Sequence, residues 1–177
     1  MTGSRSDQTL RTERMLRVDQ AGEFGATRIY AGQLAVMGNR APHSQEVAAM
    51  AMQEAEHRRI FDELASRRGV RPTALQPLWS VAGFALGAAT ALIGPEAAMA
   101  CTAAIETEID AHYTQQLEEL DGEDPELGAL IEKFRDEERE HRDAALAAGA
   151  EKAPAYPLLF GAIRLGCRMA IKLSERI

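Results

Sequence analysis

Four helical segments stand out from the pattern of apolar and polar positions along the chain. The first runs from Leu16 to Met37 and stops at Gly38-Asn39. The second starts near Pro42 and ends near Gly69, with Pro72 just beyond; glycine is a frequent helix stop and proline cannot continue one. The third runs from Pro95 to Leu120, before Asp121-Gly122. The fourth opens at Asp124-Pro125, a capping side chain followed by proline at the first helical position, and fades at Gly149. No segment alternates with period two and carries β-branched residues. The pattern predicts an all-α chain.

Two further stretches do not belong to the four. From Thr73 to Pro95 there is no charged residue. Its apolar part, Leu78 to Ile93, would span roughly 24 Å as a helix, short of the ~30 Å hydrocarbon core of a bilayer. Pro77, Gly83, Gly87 and Gly94 weaken it further. It reads as an interfacial, membrane-dipping connector; the alternative is a buried crossover helix. After Pro157 comes one more helical stretch. Arg164, Arg168, Lys172 and Arg176 recur every four residues there and form one basic stripe beside Leu158, Leu159, Phe160, Ile163, Met169, Ile171 and Leu173. A basic amphipathic helix on an acidic chain predicts contact with lipid headgroups. The competing expectation is a packing helix whose arginines pair with the bundle.

Composition narrows the class. The chain has 177 residues, enough for one compact domain with its own core. Residues 16–177 are expected to form that domain, and the polar, signal-free segment 1–15 a disordered leader. Hydrophobic residues make up 46%, which argues against intrinsic disorder, and the net charge of −7 makes nucleic acid a poor partner. Cys101 and Cys167 stand far apart and in no CxxC, so they make neither a zinc site nor a disulfide framework; a reducing compartment suits them.

The chemistry lies in two short motifs. Glu54-x-x-His57 falls in the second helix and Glu138-x-x-His141 in the fourth. Residues three apart leave the same face of a helix, so each motif offers a carboxylate and an imidazole together. One such pair on a solvated face means little. Here both members of the second copy lie 84 positions after the first (54 to 138, 57 to 141). An offset of 83 relates Glu23 to Glu106, Tyr30 to Tyr113 and Pro42 to Pro125. The chain therefore reads as two degenerate helical hairpins, each contributing Glu…Glu-x-x-His. That donor set is the one ferritin-like di-iron and di-manganese bundles use. Four carboxylates balance two divalent cations, and mixed carboxylate and imidazole ligation favours iron or manganese over zinc. The candidate metal ligands are Glu23, Glu54, His57, Glu106, Glu138 and His141. The expected fold is a ferritin-like antiparallel four-helix bundle with a long apolar crossover and an extra C-terminal amphipathic helix.

The third helix also carries Glu108, and the repeat offset selects Glu106 over it. Tyr30 and Tyr113 each follow a candidate ligand by seven residues, close to two turns, so they point the same way one layer along; the alternative for each is an ordinary core tyrosine. His112 is a neighbour of the site or a core-edge histidine. Gln53 and Glu137, each preceding an ExxH glutamate, are placed to hydrogen-bond the imidazoles or to be solvated.

Longer stretches carry a resemblance. VDQAGEFGATRIYAGQ from Val18, QEAEH from Gln53, RPTALQPLWSVAGFALGAATALIG from Arg71, AMACTAAIETEIDAHY from Ala98, KFRDEEREH from Lys133, and APAY with GCRMAIKLSERI near the C-terminus together resemble the demethoxyubiquinone hydroxylase family. The resemblance covers nearly everything after residue 15, and the six ligand positions match. It implies a di-iron monooxygenase that uses two Fe ions and O2 to hydroxylate the ring of a polyprenylated methoxybenzoquinol in ubiquinone biosynthesis. It also implies peripheral attachment to a membrane, on the cytoplasmic face of a bacterial inner membrane or the matrix side of the mitochondrial one. A lipid-binding accessory protein and a homo-oligomer are further expected partners. NADH is the expected reductant, although the chain shows no GxGxxG fingerprint.

Rival readings are weaker. A bacterioferritin-like iron store shares the ligand set but has no use for a long apolar connector. A rubrerythrin-like peroxidase usually adds a CxxC module, missing here. A non-catalytic helical adaptor leaves the matched glutamates without a purpose.

Overall fold

The computed structural model describes residues 5–176. Six α-helices account for most of them: α1 (Arg5–Met37), α2 (Ser44–Arg68), α3 (Gln76–Ile93), α4 (Pro95–Leu120), α5 (Pro125–Ala147) and α6 (Tyr156–Ser174), with a short 3-10 turn at Ala150–Lys152 before the last. There is no strand among the described residues. The stops are chemical. Gly69 closes α2 in the left-handed conformation at φ 68°, and the Asp124 side chain caps α5 by accepting the Leu127 amide at 3.1 Å.

The expected leader is corrected by α1, which begins at Arg5. Residues 1–4 lie outside the described residues. The extension has a packing reason. Met15 and Leu16 are buried against Phe61, Leu64, Leu120 and Leu127, and Arg11 reaches across to pair with Glu123. A polar stretch without an apolar run still continues a helix whose next turns are anchored.

Cross-helix bonds fix the topology. Gln20 of α1 donates to Asp62 of α2 at 2.8 Å, and Tyr30 approaches Met50, so partners fall in sequence as α1 advances: α1 and α2 are antiparallel. Gln33 meets Ala98 while Asp19 meets Gln116, which makes α1 and α4 antiparallel. His141 meets Gln53 while Arg68 meets Glu126, which does the same for α2 and α5. Helices α4 and α5 form the second hairpin. The expected antiparallel four-helix bundle is therefore α1, α2, α5 and α4 taken around a square.

The core divides into layers. At one end lie small residues, including Ala97, Ala98, Ala100 and Ala103 with Met37, Val47 and Met50. At the other lie Leu16, Phe61, Leu120, Ile131 and Phe134. The candidate ligands fall between the two. Helices α3 and α6 stand outside the square. The connector is thus a full helix of 18 residues laid along α1. Glycines on both helices permit the contact: a Cβ on Gly87 of α3 would sit 1.9 Å from the Ile29 carbonyl oxygen, and one on Gly32 of α1 would sit 2.1 Å from that of Phe84. The outer side of α3 stays apolar and exposed at Leu78, Val81, Leu92 and Ile93.

Candidate metal centre

Each bundle helix delivers its donors into the middle layer. Glu23 comes from α1, Glu54 and His57 from α2, Glu106 from α4, Glu138 and His141 from α5. All six are buried, and Glu54, Glu106 and Glu138 have no exposed surface. Ligand atoms of Glu23, Glu54, His57 and Glu138 lie within 4.8 Å of one another, and so do those of Glu54, Glu106, Glu138 and His141. The two sets overlap in Glu54 and Glu138. The arrangement therefore offers two adjacent positions with two shared carboxylates, each completed by its own glutamate and imidazole.

So many acids in a dry layer disturb one another. Burial, then the charge of Glu138, pushes the Glu54 and Glu106 carboxyls well above their usual range. Glu23 is raised as well, chiefly by burial. Burial would also raise Glu138, but hydrogen bonds from His141 and His57 outweigh it and hold that carboxylate down to about 2. Burial opposes a charged His57, yet Glu138 and Glu23 lift it to about 10. His57 Nδ1 lies 3.0 Å from Glu138 Oε1, and His141 Nδ1 lies 3.2 Å from Glu138 Oε2.

The donor set fits divalent metal on one decisive observation. Glu23 Oε2, Glu106 Oε2 and Glu54 Oε2 are buried without a hydrogen-bond partner, and Glu54 Oε1 has only the His141 imidazole, 3.1 Å away. Native interiors rarely leave such atoms unpaired, and leaving them so costs several kcal/mol at about 1–3 kcal/mol each. All belong to residues of the two donor sets. Four oxygen donors and two imidazoles suit iron or manganese, as the sequence implied.

The surrounding layer repeats the symmetry of the sequence. Tyr30 of α1 donates to Glu106 of α4 at 2.7 Å, and Tyr113 of α4 donates to Glu23 of α1. Burial first, and the neighbouring carboxylates next, drive both phenols well above 10, so they stay protonated donors. His57 Nε2 donates to Glu137 at 2.8 Å, and His141 Nε2 donates to Gln53 at 3.0 Å. Each residue before one ExxH glutamate thus serves the histidine of the other motif. His112 is not drawn into the cluster. Its Nε2 lies 3.4 Å from buried Asp19 and 3.0 Å from Gln116 Nε2, and its ring centroid stands 6.2 Å from that of Tyr113.

Glu108 points the other way, as the repeat offset implied. It is buried under α6, where Arg164 and Arg168 pair with it, the latter at 3.5 Å. The basic stripe is accordingly split, and the packing alternative holds for its first half. Lys172 and Arg176 remain exposed, with no ion pair among the described residues.

Beside the bundle, α1, α3, α4 and α6 enclose a cleft of about 480 Å³. Glu108 is the one charged residue in its lining; Gly22, Gly25 and Ala26 of α1 and Ile105 of α4 form its inner wall, each within three positions of Glu23 or Glu106. Trp79 Nε1 donates to Ser174 Oγ at 3.1 Å and ties the start of α3 to the end of α6 at its rim. The sequence reading missed this cleft. Its signal was the glycine and alanine spacing of α1, which only acquires meaning once α3 and α6 are seen to lie over it.

The chain matches the family described as ubiquinone biosynthesis protein COQ7 over residues 10–174. It is 55% identical over 165 residues to a 3-demethoxyubiquinol 3-hydroxylase of Rhodospirillum rubrum, covering 93% of this chain and 78% of that protein. It is 54% identical over 169 residues to the human NADPH-dependent 3-demethoxyubiquinone 3-hydroxylase, mitochondrial, covering 93% and 77%. The yeast 5-demethoxyubiquinone hydroxylase, mitochondrial, is 45% identical over 181 residues, with 93% and 78% covered. With a match that spans almost the whole chain and relatives of this closeness, the chain belongs to the COQ7 family of ubiquinone biosynthesis proteins.

Proposed function

We propose that this protein hydroxylates the ring of a polyprenylated demethoxybenzoquinol, with two iron ions held by Glu23, Glu54, His57, Glu106, Glu138 and His141 and with O2 as co-substrate. The observation that carries the reading is the pair of overlapping, buried donor sets with orphaned carboxylate oxygens among their members. Iron, when bound, supplies the activation of O2, which it holds and polarises. One oxygen atom goes to the ring and the other leaves as water, with two electrons from a reductant.

The rest is the work of the chain. Glu54 and Glu138 belong to both donor sets and would help to hold each of the two ions. Tyr30 and Tyr113 keep their protons and fix the outer glutamates. The apolar cleft receives the substrate, and its small-residue wall lets the ring approach the α1 and α4 side of the cluster while water is kept out. The exposed apolar residues of α3, with Leu158, Leu165 and Met169 of α6, flank that cleft and serve to dock the protein on a bilayer, where a polyprenyl tail resides. Lys172 and Arg176 supply headgroup contacts there. The site of action is the bilayer surface, the cytoplasmic face in a bacterium or the matrix side in a mitochondrion; the human and yeast relatives carry the mitochondrial designation in their names. The reductant is a pyridine nucleotide. The expectation from resemblance was NADH, whereas the human relative is named for NADPH. A lipid-binding accessory protein and self-association fit the exposed apolar faces.

A ferroxidase or peroxidase reading leaves the cleft and the two apolar faces without use. The test is to reconstitute metal-stripped protein with ferrous iron and supply detergent-solubilised demethoxyubiquinol, a pyridine nucleotide and O2. Two irons per chain and a hydroxylated quinol are expected. Iron oxidation with no hydroxylated product would favour the ferroxidase instead.

A further inference from the structure

The two metal positions match in almost every respect. Each shares Glu54 and Glu138, each adds one glutamate held by a tyrosine from the opposite hairpin, and each adds one histidine that presents Nδ1 to Glu138. The match breaks behind the imidazoles. His57 Nε2 donates to a carboxylate, Glu137 Oε2 at 2.8 Å. His141 Nε2 donates to an amide oxygen, Gln53 Oε1 at 3.0 Å. The 84-residue repeat puts Gln53 and Glu137 at equivalent positions, so the two imidazoles differ in the acceptor behind them (53 to 137).

The chemistry of the two acceptors differs. A carboxylate draws the Nε2 proton toward itself and makes the opposite nitrogen a stronger donor to metal; a neutral amide does so much less. Two other differences accompany this one. Phe134 stacks on the His57 ring at 3.9 Å, where the repeat puts Met50 beside the other position. Lys133 stands 3.8 Å from Glu137, but it is largely in water and screens weakly. Neither neutral packing nor an exposed lysine cancels the difference in the acceptor.

We propose that the position completed by Glu23 and His57 binds divalent metal more tightly than the one completed by Glu106 and His141, and that the choice of Glu137 against Gln53 sets the order. Glu137 and Gln53 are positioning residues that act through the imidazoles. The inference rests on the metal-centre reading above and adds an internal ranking to it.

The test is an anaerobic titration of the metal-stripped full chain with Co2+, followed by calorimetry and by the d–d absorption of bound cobalt. The unsubstituted protein is expected to fill in two steps at least about tenfold apart. Glu137→Gln should weaken the tighter step by about 10–100-fold and merge the two. Gln53→Glu should tighten the weaker step and also narrow the gap. The two substitutions together should restore two steps with the order reversed. Crystals grown with one equivalent of cobalt should then show its anomalous signal beside His141 rather than beside His57. Glu137→Asp should recover much of the original separation. Circular dichroism checks folding, and the two single variants sit on different helices, so a folding failure in one leaves the other to decide. Equal cobalt occupancy at both positions in the unsubstituted protein, or step affinities that neither single variant moves, would overturn the ranking while leaving the metal centre intact. Failure to bind cobalt at all would overturn the metal-centre reading and the ranking with it.

Discussion

Tyr30 on α1 donates its hydroxyl to Glu106 on α4 at 2.7 Å, and the 83-residue repeat turns this contact into its mirror, Tyr113 to Glu23. Each hairpin therefore holds the other's lone glutamate. Tyr30→Phe removes one such bond to a carboxylate, an interaction of about 1.5–3 kcal/mol. Metal affinity at the Glu106 position is expected to fall by about tenfold or more, with the other position less affected and hydroxylation slowed but not lost. Metal titration of the variant checks this. Unchanged affinity at both positions would make Tyr30 an ordinary core tyrosine.

Stability of the metal-free protein should fall as pH rises through the neutral range. His57 holds its proton up to about 10 when folded, against 6.5 ordinarily, so above pH 6.5 the unfolded chain binds fewer protons than the folded one. Glu54 and Glu106, raised by burial, contribute in the same direction from about 4.5 upward. Glu138, held at about 2, acts oppositely: its contribution is present above 4.5 and is lost as pH falls toward 2. Urea unfolding between pH 6.5 and 9 should show the decline in metal-free protein and a flatter profile once metal replaces the protons. A flat metal-free profile would contradict the charge assignment.

The crossing of α1 and α3 rests on bare glycine. In Gly87→Val the new Cβ would overlap the Ile29 carbonyl at 1.9 Å, and backbone cannot swing aside as a side chain can. Overpacking of this kind costs about 1–3 kcal/mol. The variant should melt several degrees lower and bind apolar quinone analogues more weakly, since α3 walls the cleft. Gly22→Ala, where nothing lies within 4 Å of the added carbon, is the control and should stabilise the helix slightly, by about 0.5–1 kcal/mol.

Membrane binding should depend on the outer half of the basic stripe. Lys172→Glu with Arg176→Glu is expected to weaken flotation with anionic vesicles by roughly 1 kcal/mol or more per residue, in a salt-sensitive way. The metal centre should stay loaded, because Lys172 lies near the end of α6 and Arg176 just beyond it, outside the bundle. Equal flotation of variant and parent would assign docking to the apolar faces alone.

How far the sequence reached can be read from particular residues. The ExxH motifs were legible because a ligand pair needs a fixed helical spacing and the repeat doubled it. Glu106 was separable from Glu108 by the same offset, and the structure turns Glu108 to α6. The helix ends at Met37, Leu120 and Pro125 followed from local chemistry of glycine, aspartate and proline. The start of α1 did not, because the turn before Met15 is tied down by Arg11 pairing with Glu123 in the α4–α5 loop rather than by its own pattern. The role of Gly83 and Gly87 was likewise invisible: a glycine in an apolar helix weakens it locally, and only the tertiary approach of α1 reverses that judgement. The stripe on α6 was seen, but its division was not, since it depends on one buried carboxylate 56 positions away from Arg164.

The most direct measurement supplies demethoxyubiquinol, reductant and isotopically labelled O2 to the iron-loaded protein and to its Glu138→Ala variant. Glu138 belongs to both donor sets, so its loss should empty the centre while the helical circular dichroism is retained. The expected result is a hydroxylated quinol carrying one labelled oxygen from the parent and none above background from the variant. A product without label, or variant turnover equal to that of the parent, would contradict oxygen activation at this cluster.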